Sequence, residues 1–201
     1  MMKKLLLSTL LLLLLPAAQG APRILVLGDS LSAAHGMAQK EGWVSLLQQR
    51  LQREGYPHRV VNASISGETS SGALARLPRE LDIHAPHIVL IELGGNDGLR
   101  GLSLETLEAN LAAMIKMVLD RGAKPLLIGM RLPPNYGPTF TRRFAALFPA
   151  LARRYDIPLV PFLLEGLATK RAFFQADGIH PNAAAQPLIL DNVWSRLREL
   201  L

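Results

Sequence analysis

The chain reads as a three-layer α/β/α domain built on a parallel sheet, and three observations predict it. Apolar runs alternate with amphipathic stretches from Arg23 to the C-terminus. The strand-like runs are continuously apolar, as expected of strands covered on both faces. Polar, glycine-rich patches follow these runs: Gly28-Asp29-Ser30, NASISGE (62–68), GGND (94–97) and RLPPNYG (131–137). Open α/β sheets bind ligands beyond the carboxyl ends of their strands, where these patches fall.

The elements follow in order. Arg23–Leu27 is a first strand. Trp43–Glu54 places Val44, Leu47 and Leu51 on one helical face, and Gly55-Tyr56-Pro57 ends it. Arg59–Asn62 is a second strand, and Ser70–Leu81 a helix expected to break near Pro78. His87–Leu93 is a third strand running into Gly94-Gly95. Ser103–Arg121 is the clearest helix, with Ser103 as N-cap, a stripe of Leu107, Leu111, Met114 and Val118, and Gly122 closing it. Pro125–Gly129 is a fourth strand, Thr141–Tyr155 a helix despite Pro149, and Pro158–Pro161 a short fifth strand. Ala183–Leu200 is the last helix, with Pro187 in its first turns. Short connections and the right-handed crossover rule place helices on both faces of the sheet.

Residues 1–20 stand apart. Lys3 and Lys4 precede a leucine-rich core over 5–15, Pro16 breaks it, and Ala18-Gln19-Gly20 offers small residues for cleavage. That layout is expected of a secretory signal peptide cleaved after Gly20. A spanning helix needs roughly 20 apolar residues, so this core is too short for a membrane anchor. Residues 21–201 are then expected to form one domain, exported to the periplasm or medium as a monomer. The chain has no cysteine, which excludes a thiolate nucleophile and cysteine metal sites. Its net charge of +6 falls to +4 without Lys3 and Lys4, aromatic residues make up 5%, and no long basic run occurs. These features argue against nucleic-acid binding.

The chemistry lies in two blocks. Ser30 follows a strand end on a glycine-assisted turn, a position that exposes a hydroxyl. A hydroxyl needs a base, and the base needs an orienting group. In Asp177-Gly178-Ile179-His180 both occur in one tight turn, with His180 as base and Asp177 as its partner. Asn96 follows two glycines and is an oxyanion donor or an ordinary turn residue; the N–H groups of Gly67 and Ser30 are further donors. His35, five residues past Ser30, is read as a loop residue over a substrate contact or a rival base. His84 and His87 flank Pro86 without a nearby carboxylate cluster, and no nucleotide-binding glycine motif follows a strand, so no metal or cofactor is called for.

The blocks GDS (28–30), Gly67 in ISGE, GGND (94–97) and DGIHP (177–181) resemble those of the SGNH, or GDSL-type, hydrolase family. VVNASISGETSSGALARLP (60–78) and IELGGNDGLRG (91–101) resemble its periplasmic thioesterase, lysophospholipase and arylesterase branch. The resemblance covers nearly all of 22–201. It implies a flavodoxin-like, five-stranded parallel sheet in the order 2-1-3-4-5. It also implies that Ser30 acts with His180 and Asp177, and that Ser30, Gly67 and Asn96 form an oxyanion hole.

Leu77, Pro78, Asp97, Leu99 and Tyr136 are expected to meet substrate, with Asp97 also ordering its own loop. These apolar walls with scattered arginines suit acyl chains on polar or anionic heads. The resemblance implies hydrolysis of acyl esters and thioesters, including acyl-CoA, aryl esters and lysophospholipids, and this is the expected activity. The alternatives are an O-acetyl esterase acting on cell-wall carbohydrate and a non-catalytic lipid- or glycan-binding module.

Overall fold

The computed structural model describes residues 20–201, so the expected signal peptide falls almost wholly outside the described residues. Five parallel strands, β1 (Arg23–Gly28), β2 (Arg59–Asn62), β3 (Ile88–Glu92), β4 (Lys124–Ile128) and β5 (Leu159–Val160), form one sheet in the order β2-β1-β3-β4-β5. The central strands are the most apolar. Ile24–Leu27 of β1 and all of β3 are buried, while the edge strand β2 is partly exposed.

Among the described residues, six α-helices accompany the sheet: α1 (Trp43–Arg53), α2 (Ser70–His84), α3 (Gly95–Leu99), α4 (Leu104–Asp120), α5 (Pro138–Tyr155) and α6 (Gln186–Leu197). α1 packs with α6 on one face; α2, α4 and α5 pack in series on the other. The chain leaves β1 toward β2 and then returns past β1 to β3, so the crossovers change face there. The carboxyl ends of β1 and β3 are therefore the switch point at which such sheets hold ligands.

Each helix buries a stripe set by its sequence. In α4, Leu104, Leu107, Leu111, Met114, Ile115 and Val118 face the core, and the Ser103 hydroxyl accepts the Thr106 N–H at 3.1 Å as N-cap. α2 corrects an expectation: it does not break near Pro78 but runs to His84. Ala73, Leu77 and Leu81 form one buried stripe that continues across the proline, and this burial outweighs the lost backbone hydrogen bond. α5 begins at Pro138, earlier than expected, because proline suits the first helical turn. The last helix opens as a 3-10 turn over Ala183–Ala185, capped by Asn182, before α6 proper. α3 is only five residues long and has no apolar period to announce it.

Gly129, just past β4, sits against the chain after β5. Its N–H donates to the Val160 carbonyl at 2.8 Å, and its carbonyl accepts the Leu163 N–H at 3.0 Å. A Cβ here would lie 2.4 Å from the Pro161 carbonyl oxygen, a backbone atom that cannot move aside. Gly129→Ala is expected to lower stability by about 1–3 kcal/mol through overpacking. Thermal unfolding checks this, and an unchanged Tm would contradict the packing described.

Candidate active site

Gly28 and Glu92 are paired residues at the ends of β1 and β3. Gly28 has no room for a side chain, since a Cβ would lie 2.7 Å from Glu92 Oε2. This close approach lets the chain turn sharply through Asp29 into Ser30. The turn is held by the Ala33 N–H donating to the Asp29 carbonyl at 3.0 Å and the His35 N–H donating to the Ser30 carbonyl at 3.2 Å. Ser30 is left half-buried at the surface.

The Asp177–His180 turn, 150 residues away in sequence, meets it there. His180 Nε2 lies 3.0 Å from Ser30 Oγ, and His180 Nδ1 lies 2.7 Å from Asp177 Oδ2. The other Asp177 oxygen accepts the N–H groups of Ile179 at 2.8 Å and His180 at 3.0 Å. The hydrogen bond from His180, followed by these backbone donors, holds the Asp177 carboxyl well below the usual carboxylate range. An ionised carboxylate accepts only, so Nδ1 carries the ring proton and Nε2 turns its lone pair toward Ser30. This is the geometry by which a hydroxyl is deprotonated as it attacks a carbonyl.

Asn96, in the first turn of α3, donates from Nδ2 to Asp29 Oδ2 at 3.0 Å. A second N–H on the same amide remains to meet a ligand. Gly94 adopts φ 106°, a left-handed value open to glycine, and this aims α3 back toward Asp29. The NASISGE loop is stitched to the same place. Ala63 and Ile65 donate backbone N–H groups to the carbonyls of Val26 and Gly28 at 2.9 and 3.0 Å, and Asn62 Nδ2 donates to the Ser32 carbonyl at 2.9 Å. Gly67, at φ 79°, has its carbonyl oxygen held by Arg100 Nη2 at 2.8 Å. Ser30, Gly67, Asp177 and His180 on loops, and Asn96 on the first turn of α3, are thus gathered at one end of the sheet.

Three of the residues expected to meet substrate are placed elsewhere. Asp97 is buried, and its carboxylate accepts the Ser70 N–H at 2.9 Å and hydroxyl at 2.6 Å, so it fastens α3 to the start of α2. Leu77 is fully buried in the core, and Pro78 is beside it within α2. Both are about 10 Å or more along the helix from Ser70. A helix buries its apolar stripe, and the stripe here faces the sheet. Leu99 and Tyr136 are brought together instead: the Tyr136 hydroxyl donates to the Leu99 carbonyl at 3.2 Å, joining the loops after β3 and β4. His35 lies against the His180 ring, with centroids 4.3 Å apart, but it is His180 that meets Ser30 Oγ.

Glu92 escaped the sequence reading, although a charge inside the run IVLIEL is a visible signal. It is fully buried, and its Oε2 accepts the Ser32 hydroxyl at 2.7 Å and the Asp29 N–H at 3.3 Å. Burial, then the neighbouring Asp29 charge, pushes its carboxyl well above the usual range. Burial likewise raises Asp29 to about 6, opposed by hydrogen bonds from Leu31 and Asn96. A raised folded pKa means that these groups stabilise the fold most in acid, and that this contribution is lost as pH rises through the folded value. Asp177 works the other way, and its contribution is lost as pH falls below the usual carboxylate range. Glu92→Gln, a neutral isostere, is expected to raise stability at pH 8 relative to pH 5, because the amide has no proton to lose as pH rises. Urea unfolding at the two pH values measures this, and an unchanged pH dependence would show that Glu92 is not the group responsible.

Comparison with known proteins shows the family. The family model described as "GDSL-like Lipase/Acylhydrolase family" matches residues 26–187. "Esterase TesA" of Pseudomonas aeruginosa is 53% identical over 201 residues, all of both chains. "Thioesterase 1/protease 1/lysophospholipase L1" of Escherichia coli (strain K12) is 46% identical over 191 residues, 95% of this chain and 90% of that one. The crystal structure of TesA superposes with a TM-score of 0.87 at 54% identity, covering 89% of this chain and 99% of that chain. The chain belongs to the GDSL-like lipase/acylhydrolase family, the SGNH hydrolases.

Proposed function

We propose that this protein is a serine esterase that hydrolyses carboxylic esters and thioesters through an acyl-serine intermediate. The observation that carries the reading is the continuous path Ser30 Oγ, His180 Nε2, His180 Nδ1, Asp177 Oδ2, with contacts of 3.0 and 2.7 Å. Ser30 is the nucleophile and His180 the base. As Ser30 attacks the acyl carbon, its proton passes to Nε2, and the ionised Asp177 stabilises the imidazolium. The oxyanion is met by the N–H groups of Ser30 and Gly67 and by the free Nδ2 hydrogen of Asn96. His180 then returns the proton to the leaving alcohol or thiol. A water activated by His180 attacks the acyl-serine through a second tetrahedral oxyanion and frees the acid. Each step uses the same groups, and the mechanism calls for no metal or cofactor.

The substrates of this reading are small acyl esters and thioesters: acyl-CoA, aryl esters and lysophospholipids. Relatives named esterase, arylesterase and thioesterase 1/protease 1/lysophospholipase L1 support the ester, thioester and lysophospholipid classes. Ile65 and Ile179, 50% and 52% exposed, stand two residues before Gly67 and one before His180 in the chain. Exposed apolar side chains in the loops that carry Gly67 and His180 suit an acyl chain better than an acetylated sugar. No helix among the described residues is long and apolar enough to cross a membrane. The reading includes no nucleic-acid partner, a monomer, and export to the periplasm or medium directed by residues 1–20.

Initial rates on p-nitrophenyl esters from acetate to palmitate test this. Turnover is expected to peak at medium or long chains. Ser30→Ala is expected to lose about 10⁴-fold or more with its fold intact, and Asn96→Ala about 10²–10³-fold in kcat. Activity confined to acetate would favour carbohydrate deacetylation. Ser30→Ala turning over at the native rate would refute the nucleophile.

A further inference from the structure

Ser30 and His180 come from opposite ends of the chain, and a hydrogen bond at 3.0 Å demands that their loops hold a common register. The contact itself is one weak link between two surface loops. A second group spans them. Gln175, two residues before Asp177, directs its carboxamide across the gap. Its Nε2 donates to the His35 carbonyl at 2.7 Å, on the loop that follows Ser30, and to the Pro181 carbonyl at 3.1 Å, on the loop that carries His180. Two carbonyl acceptors fix which end of the amide is nitrogen, and both of its N–H groups are used. The Gln175 backbone N–H donates to the His180 carbonyl at 2.8 Å, so the residue grips the base loop twice.

Both loops are shaped to meet it. Ala34 and Gly36 adopt φ 57° and 71°, left-handed values on either side of His35 that are uncommon for alanine. Gly36 leaves the space that the carboxamide fills: a Cβ there would lie 2.2 Å from Gln175 Oε1. On the other side, Arg171 holds the carbonyls of Phe174, Gln175 and Ala176 at 3.0, 2.5 and 3.0 Å. The His35 ring lies on the His180 ring at 4.3 Å between centroids, tilted by 35°. With its backbone held by Gln175, this ring backs the imidazole.

We propose that Gln175 is a positioning residue, a clasp that locks the nucleophile loop to the base loop and keeps His180 Nε2 in line with Ser30 Oγ. The proposal rests on Ser30 and His180 acting as nucleophile and base. Positioning groups act through the rate of the chemical step, because small misplacements of reacting groups are costly.

The test is steady-state kinetics on p-nitrophenyl butyrate with Gln175→Glu, Gln175→Ala, Gly36→Ala and the Gly36→Ala/Gln175→Ala pair, beside Ser30→Ala. Gln175→Glu keeps the shape but turns an acceptor toward both carbonyls. It is expected to lose roughly 10–100-fold in kcat with KM within about twofold and Tm within a few degrees. Gly36→Ala pushes on the carboxamide from the other loop, so its kcat penalty is expected to shrink when Gln175 is alanine. If Gln175→Glu does not fold, this cycle carries the test. Native kcat in Gln175→Glu, a rise in KM alone, or additive penalties in the cycle would overturn the clasp. Native activity in Ser30→Ala would overturn the reading beneath it, whereas an inactive Ser30→Ala beside a fully active Gln175→Glu removes the clasp alone.

Discussion

The pairing of β1 with β3 is the constraint on which the site depends. Its register sets Gly28 against Glu92 at the carboxyl ends of the two strands. The strands are buried and apolar up to that point, so burial fixes the register, and a slip would place polar groups in the core. From this origin the chain turns through Asp29 to Ser30 on one side and through Gly94 and Gly95 to Asn96 on the other. Asp29 Oδ2 then accepts the Asn96 amide at 3.0 Å across the junction. The proposed nucleophile and oxyanion donor are thus neighbours because two strands are.

The acidic groups near Ser30 are divided by their surroundings. Asp177 is solvent-facing, accepts three hydrogen bonds and stays ionised. Asp29 and Glu92 are buried, and their carboxyls are pushed upward. The first orients and stabilises a charge that forms during turnover. The second pair orders the turn under Ser30 and the amide of Asn96, and it tolerates a proton while doing so. One site therefore draws opposite behaviours from the same functional group, and the difference lies in access to water and backbone donors.

Much of the fold was legible because the central strands are buried on both faces and leave continuous apolar runs, while glycines and polar residues mark where the sheet ends. The sheet order came from a resemblance, not from periodicity. α2 was cut short because Pro78 is a strong local signal, whereas the buried stripe of Ala73, Leu77 and Leu81 is a tertiary one. The same stripe explains why Leu77 was misplaced as a substrate wall: proximity to a motif in sequence does not say which way a helical face turns. Asp97 was misplaced because a turn residue's hydrogen-bond partner, here Ser70, lies on another element. Ser30, Asp177 and His180 were legible as a group because the chemistry restricts the residue types. Gln175 was not, since a glutamine beside a turn carries no signal until the opposite loop is in place.

The central claim is that His180 activates Ser30, and covalent labelling examines it directly. Wild-type protein and His180→Ala are treated with a p-nitrophenyl alkylphosphonate, and the adduct is mapped by mass spectrometry. This mechanism predicts one phosphonyl group per chain, on the peptide containing Ser30, formed at a rate that falls by orders of magnitude in His180→Ala. Labelling at Ser32, Ser64 or Ser66 in place of Ser30, or equal rates in the two proteins, would contradict it.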